Sequence, residues 1–349
     1  MITVFAFIFV LSLLVLAHEC GHFLMARRFG IRVLHFALGY GPKIVSWMWE
    51  GVEFSIRMLP LGGYVRMAGM EGNLIEGPGE FSVPSSERFD AKPLWQRSLV
   101  VLAGPLMNLI LSVFLLFIVF SISGIPTGRI AVLEVMPGGP AEKSGIQKGD
   151  VLIAVNGRPV ERIEEVTQTI STSPGKTVVL TLERKGSIVE IPVVPEWSPE
   201  EQRALIRVVF GGESRRYHPL VTVAKSTITV LEWFVLSLLG VLYTITGKFP
   251  LEVTGPLGIA QMAGQAAAFG FVNLLAFAAV ISVFLALFNL FPIPVLDGGH
   301  LLIFLYEKVR GRPLEEEKKG IIYLIGIVFI FLLSIFVTYQ DVLRIVTRK

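Results

Sequence analysis

Cysteine is almost absent from this chain. Of 349 residues only Cys20 carries a thiol, so no internal disulfide framework can form. Charge is thin as well. Lys, Arg, Asp and Glu together make up 17% of the residues, and the net charge is only +3. Ordinary soluble domains carry about 25% charged residues. A balance so small gives no ground for a nucleic-acid partner. Apolar side chains fill the space instead, at 53% of the chain. That excess points to a protein that lives in a lipid bilayer.

Four stretches approach the roughly 20 apolar residues that a membrane-crossing helix needs. They are about 2–26, 98–122, 271–290 and 320–338. A fifth, 224–246, is long enough but carries Glu232 near its middle. No Lys or Arg precedes the first run, and Arg27, Arg28 and Arg32 follow it. This is the pattern of a span with its N-terminus outside, not of a signal peptide. Nine basic residues lie between the first two spans, from Arg27 to Arg97, which places that region in the cytoplasm.

Within it, "KIVSWMWEGVEFSIRML" (43–59) reads as two strands with a turn at Glu50-Gly51. Its oily faces, with Trp47, Met48, Trp49 and Phe54, suggest a hairpin dipping into the membrane edge. "LPLGGYVRM" leads into a further short strand, and 69–90 reads as a mobile loop. From about Thr127 to Glu196 the character changes to soluble α/β. Short alternating strands, a small helix at Pro140–Ser144 and an Asn156-Gly157 turn are expected there. The segment "AEKSGIQKGDVLIAVNG" resembles a PDZ domain, which implies a peptide ligand as a candidate partner.

His18-Glu19-Cys20-Gly21-His22 is an H-E-x-x-H motif at the end of the first span. Residues four apart share one helix face, so two imidazoles can converge on one Zn2+ while the glutamate beside them serves as base. Ionisable groups at such depth are costly and usually functional. Cys20 lies on another face and reads as a small packing residue. A catalytic zinc needs a third protein ligand. His35 and His218 are poorly placed for it. "NLFPIPVLDGGH" (289–300) offers Asp297, just past a helix that Pro292 and Pro294 must interrupt. The two glycines after it suggest a carboxylate on a flexible turn. His300 is a rival third ligand. For Asp297 to meet the histidines, the 271–290 helix must run inward. The 224–246 stretch is then expected to lie along or partly in the outer face as an amphipathic or re-entrant element.

Taken together, the H-E-x-x-H motif, "AGPLMN" (103–108), the PDZ-like insert and "NLFPIPVLDGG" resemble the site-2 protease family of intramembrane zinc metalloproteases, in its bacterial RseP-like branch. The resemblance covers almost the whole chain, with a single PDZ domain where some relatives carry two. It implies one Zn2+ ion held by His18, His22 and Asp297, with Glu19 as catalytic base. It implies substrate-binding residues at Asn289, Asn108, Gly62, Gly63 and Tyr64, with Asn108 near the site in the second span and the last three in the "GGYVRM" run that matches the family's hairpin region. The expected substrates are single-pass membrane proteins, such as anti-sigma factors, or remnant signal peptides.

The expected architecture is a polytopic α-helical membrane protein with four transmembrane helices, a membrane-associated β-hairpin region and one inserted PDZ-like domain. Its parts are 1–126, 127–200 (outside), 201–270 and 271–349, set in a bacterial plasma (inner) membrane with the active site near the cytoplasmic side. Two other readings stand beside it. One is a surface zincin cutting soluble cytoplasmic proteins. The other is a non-catalytic PDZ-bearing scaffold or transporter with a structural metal.

Overall fold

The computed structural model describes residues 1–70, 83–248 and 254–347. Most of the expected loop 69–90 lies outside these residues. In order, the chain forms α1 (Ile2–Arg28), β1 (Val33–Trp49), β2 (Val52–Met67), α2 (Leu94–Ser123), β3 (Ile125–Val135), α3 (Pro140–Lys143), β4 (Val151–Val155), β5 (Arg158–Pro159), α4 (Ile163–Ser171), β6 (Val178–Arg184), β7 (Ser187–Val193), β8 (Glu196–Ser198), β9 (Arg203–Leu205), β10 (Val208–Arg215), α5 (Pro219–Ile245), α6 (Pro256–Ala268), α7 (Phe271–Asn289), α8 (Asp297–Arg310) and α9 (Glu316–Thr347). Two compact units result. One joins Met1–Ile122 to Val223–Lys349, and the other is Ser123–Thr222.

Among the described residues, five helices are long and apolar enough to cross a membrane by length and composition: α1, α2, α5, α7 and α9. Large apolar side chains such as Phe5, Phe114, Leu236 and Phe331 stand exposed on them. A continuous apolar surface of that kind calls for lipid rather than water. The helices also satisfy their own backbone hydrogen bonds, as a bilayer requires.

In the larger unit α2 runs antiparallel to α1. Gly21 faces Ala103 closely enough that a Cβ there would collide with the Ala103 carbonyl. α7 runs parallel to α1, with Phe9 and Phe271 ring centroids 5.9 Å apart near their starts. Ser112 Oγ donates to Ala279 O at 2.8 Å, and Ser282 Oγ donates to Asn108 O at 2.7 Å, stitching α2 to α7. α6, which periodicity did not reveal, packs beside the N-terminus of α1, where Gly264 lies against Thr3. At the start of α6, Asp341 of α9 is buried and accepts hydrogen bonds from Gly255 N at 3.1 Å and Gly258 N at 2.9 Å. It thereby satisfies N–H groups that the start of α6 leaves unpaired.

β1 and β2 curl into a twisted sheet. The turn falls at Glu50-Gly51, both with positive φ, as a two-residue hairpin requires. Residues 35–38 of β1 pair on one side with 53–56 and on the other with 63–66. The root of the sheet is sealed by Ile31, Phe36, Val52, Val65 and Met67 against Ala26, Val100, Val101 and Phe304. The far end is open: Ile44, Val45, Trp47, Met48, Trp49 and Met58 are exposed.

The smaller unit has a six-stranded sheet ordered β10-β3-β4-β6-β7, with β5 on β4, and a separate β8-β9 pair. Its core is Val132, Leu152, Val166, Leu180, Leu182, Val193 and their neighbours, with α4 contributing Val166 and Ile170. The sheet extends past residue 200, because β10 pairs with β3 from Val208↔Val135 to Arg215↔Ile125. The two-glycine stretch inside β10 breaks the alternation by which a strand is read from sequence.

One buried ion pair braces this unit. Arg184 grips Asp150 bidentately, Nε–Oδ1 at 2.8 Å and Nη2–Oδ2 at 2.7 Å, and Gln147 N donates to Asp150 Oδ2 at 2.8 Å. Burial alone would raise the Asp150 carboxyl, but Arg184 and the Gln147 N–H hold it below the ordinary aspartate range. A lowered carboxyl stabilises the fold above its unfolded pKa, and the contribution is lost as pH falls through the folded value. Protection factors of β4 and β6 amides in the intact protein are therefore expected to fall on acidification below about pH 4. Asp150→Ala should lower them at neutral pH, by roughly 3 kcal/mol of local stability, and remove the acid step.

Candidate metal centre

α1 continues as unbroken helix through the H-E-x-x-H motif. His18 and His22 are one turn apart and point the same way, their ring centroids 4.7 Å apart and edge to face. Across from them the chain is non-helical between α7 and α8, where Pro292 and Pro294 lie. Asp297 is the first residue of α8. Its glycines do not form a flexible turn. A Cβ on Gly298 would collide with the Leu290 and Phe291 carbonyls, and one on Gly299 with the Ile293 carbonyl. They let α8 start directly against the broken segment, which fixes the carboxylate instead of freeing it.

Three donor atoms meet here. His18 Nε2 is 3.1 Å from His22 Nε2 and 3.2 Å from Asp297 Oδ2, and His22 Nε2 is 3.5 Å from Asp297 Oδ1. Ligand atoms about 2.0–2.1 Å from a tetrahedral zinc lie about 3.3 Å from one another, so the spacing fits that ion. The side chains are only 12%, 11% and 13% exposed. Asp297 Oδ2 is buried with no hydrogen-bond partner, a costly state for a carboxylate unless a cation faces it. Two neutral imidazoles and a carboxylate are the donor set of a hydrolytic zinc site with an open position. Among the described residues this is the one group of three such side chains close enough to hold a metal.

The shell behind the ligands comes from α2. His22 Nδ1 lies 2.8 Å from Val100 O, and His18 Nδ1 lies 3.2 Å from Nδ2 of the fully buried Asn108. Gly104 makes this approach possible. A Cβ on it would collide with His22 Nε2 and come within 2.8 Å of the His18 ring. Neither Gly104 nor the Val100 carbonyl stood out from sequence. The "AGPLMN" run held the first in plain view, but a main-chain acceptor leaves no mark on residue identity.

Glu19 is half-buried beside the ligands, its Cγ 3.4 Å from where a Cβ on Gly63 would sit. This brings the last stretch of β2 to the site. Tyr40 Oη donates to Gly63 O at 3.1 Å, and the Tyr40 and Tyr64 rings stack with centroids 6.2 Å apart. Gly62 has φ +118 and is crowded by Tyr40. Asn289 is the last, half-buried residue of α7, across the break from Asp297. His300 is not one of the three converging side chains, and its Nδ1 lies 3.0 Å from Tyr323 Oη on α9. His35 pairs with Glu53 at 2.9 Å, and His218 belongs to the smaller unit. Cys20 packs as a half-buried residue against the core beneath the sheet.

Comparison with known proteins gives a consistent result. A profile described as peptidase family M50 matches residues 6–333. The regulator of sigma-W protease RasP of Bacillus subtilis is 30% identical, over 98% of this chain and 99% of its own length. The zinc metalloproteases named RasP of Geobacillus kaustophilus and Bacillus licheniformis are each 31% identical. They cover 97% and 98% of this chain and 97% and 99% of their own lengths. Among solved structures, the PDZ domain of an SdrC-like protein from Listeria monocytogenes aligns over 25% of this chain and 90% of its own, at 15% identity and a TM-score of 0.23.

Because Gly104 sets the distance between α2 and the imidazoles, Gly104→Val should separate them. Bound zinc per purified protein is expected to fall at least tenfold, while helix content by circular dichroism stays near that of the unaltered chain.

Proposed function

The chain belongs to peptidase family M50 and is an intramembrane zinc metalloprotease; from that premise we propose that His18, His22 and Asp297 hold its zinc and that Glu19 is the general base. The observation that carries this reading is the convergence of the three donor atoms beside Glu19 at the end of a membrane-length helix. Zinc in such a set supplies Lewis-acid chemistry, acidifying water and polarising a peptide carbonyl. Glu19 takes the proton from the attacking water and later passes it to the leaving amine.

A substrate helix hides its carbonyls in its own hydrogen bonds, and opening them in lipid costs several kcal/mol for each unpaired group. The enzyme must offer replacement partners. Among the described residues, 63–66 of β2 pair with 35–38 of β1, and Gly63 lies next to Glu19. They form the edge to which an extended substrate adds as a further strand. Asn289 is placed to hold a freed backbone group of the substrate. The exposed tip of the hairpin, with Trp47 and Trp49, sits in the membrane surface.

We read the chain as having four crossings, α1, α2, α7 and α9, with the N-terminus and the smaller unit outside and the metal near the cytoplasmic side of a bacterial plasma membrane. α7 running parallel to α1 supports this. α6 then sits beside the start of α1, so α5 lies along or partly within the outer face. The smaller unit, read as a PDZ-like domain, takes a peptide ligand there. The substrates are single-pass membrane proteins, cut within or near their spans. The Bacillus subtilis relative's name, a regulator of sigma-W protease, fits proteolysis that controls a signal.

Glu19→Gln should keep the metal and lower the cleavage rate by about 100-fold or more, the usual worth of a general base. Metal content and turnover measured on one preparation separate this outcome from a site that has simply lost its ion. On the substrate side, replacing Gly, Pro, Asn or Ser near the cut by Leu should slow cleavage several-fold. An unchanged rate would show that unwinding does not limit the reaction.

A further inference from the structure

We infer that Asn108 is a positioning residue: its amide oxygen accepts the Nδ1 proton of His18 and so locks that ring in the tautomer that turns Nε2 to the metal. This rests on the reading of His18 as a ligand. Nε2 of His18 is the atom that faces His22 Nε2 and the Asp297 carboxylate. A neutral imidazole has one N–H and one free lone pair. A ligating Nε2 must be bare, so the proton sits on Nδ1, and Nδ1–H is a donor that needs an acceptor.

For His22 that acceptor is the Val100 carbonyl, 2.8 Å from its Nδ1. For His18 the neighbour at 3.2 Å is Asn108, a residue with no solvent exposure. In the structure the Nδ2 end of the amide faces Nδ1, which sets two donors against each other in the metal-binding tautomer. The other end, Oδ1, is buried, and no donor reaches it. Turning the amide over about its Cβ–Cγ bond removes the donor–donor clash, because Oδ1 then meets Nδ1–H.

Asn108 is well held for the task. Its backbone carbonyl accepts from Ser282 Oγ at 2.7 Å, so α7 fixes the turn of α2 that carries it. The two histidines are thus oriented by one helix, two turns apart, one through a main-chain oxygen and one through a side chain. Only the second can be tested by substitution. Behind His18, away from the metal-facing nitrogen, Asn108 acts on the ligand and does not touch substrate.

The two amide orientations predict opposite outcomes for an isosteric change. Asn108→Asp keeps an acceptor and removes the donor, whereas Asn108→Leu removes both. Zinc affinity is read by competition with a chelator on the purified full-length protein in detergent, alongside the visible spectrum of the cobalt-substituted form. Asn108→Leu is expected to weaken zinc by about 10- to 100-fold and shift the cobalt bands. Asn108→Asp should bind within about threefold of the unaltered chain, with its bands in place. Each variant is first checked for metal-free melting, and Asn108→Ala replaces the Leu variant if that does not fold. Unaltered affinity in Asn108→Leu, or an Asp variant as weak as the Leu one, would overturn the inference. His18→Ala is the control for the reading beneath it: metal retained in that variant would remove His18 as a ligand, a result distinct from failure at Asn108.

Discussion

Three lone pairs aimed at one point in a low-dielectric interior repel one another. The structure nevertheless places His18 Nε2, His22 Nε2 and an Asp297 oxygen within 4.8 Å of each other, largely sealed from water. A cation facing all three, as proposed, would make such an arrangement favourable. Much of the larger unit serves this contact. α1 carries two of the donors at helical spacing, and α2 comes close enough to orient them because Gly21 and Gly104 leave room. The break between α7 and α8 delivers the third from a segment far along the chain.

The same break carries the site's second property. Non-helical backbone at membrane depth survives only where protein or water satisfies it. Here Gly298, Gly299 and Gly326 let neighbouring backbone pack directly onto residues 290–294. A cleft that shelters its own open backbone can shelter a substrate's as well. Residues 63–66, paired with β1, lie beside Glu19, so the strand proposed to take an extended peptide and the proposed base are adjacent.

What could be read from sequence followed from locality. The i, i+4 spacing of His18 and His22, the two prolines before Asp297, the Glu50-Gly51 turn and the long apolar runs all act over a few residues, so residue identity reports them. Features set by tertiary contact were silent. α6 is short and followed closely by α7, so its periodicity merges with an apolar background. The reach of the sheet to β10 depends on pairing across about eighty residues. The glycines after Asp297 looked like freedom and serve close packing, a distinction that only the facing carbonyls decide. Asn108 stood out as a polar residue in a span, but its partner, a nitrogen ninety residues away, could not be named.

Depth remains to be accounted for, because Asp297 must arrive at the level of His18 along a different set of helices. α9 acts as the strut. Near its start, Tyr323 meets His300 on the first turn of α8, and Gly326 sits against Pro294 in the broken segment. Near its end, Asp341 caps the start of α6, and α6 is wedged against Thr3 at the beginning of α1. The distance from Thr3 to His18 along α1 is set by helical rise alone, about 1.5 Å per residue. The distance from Asp341 back to Tyr323 along α9 is set by the same rise and spans a similar number of residues. α1 and α9 are thus tied through α6 near one end, and their other ends carry or brace the three donors. His18, His22 and Asp297 are therefore brought together by helices and close backbone packing.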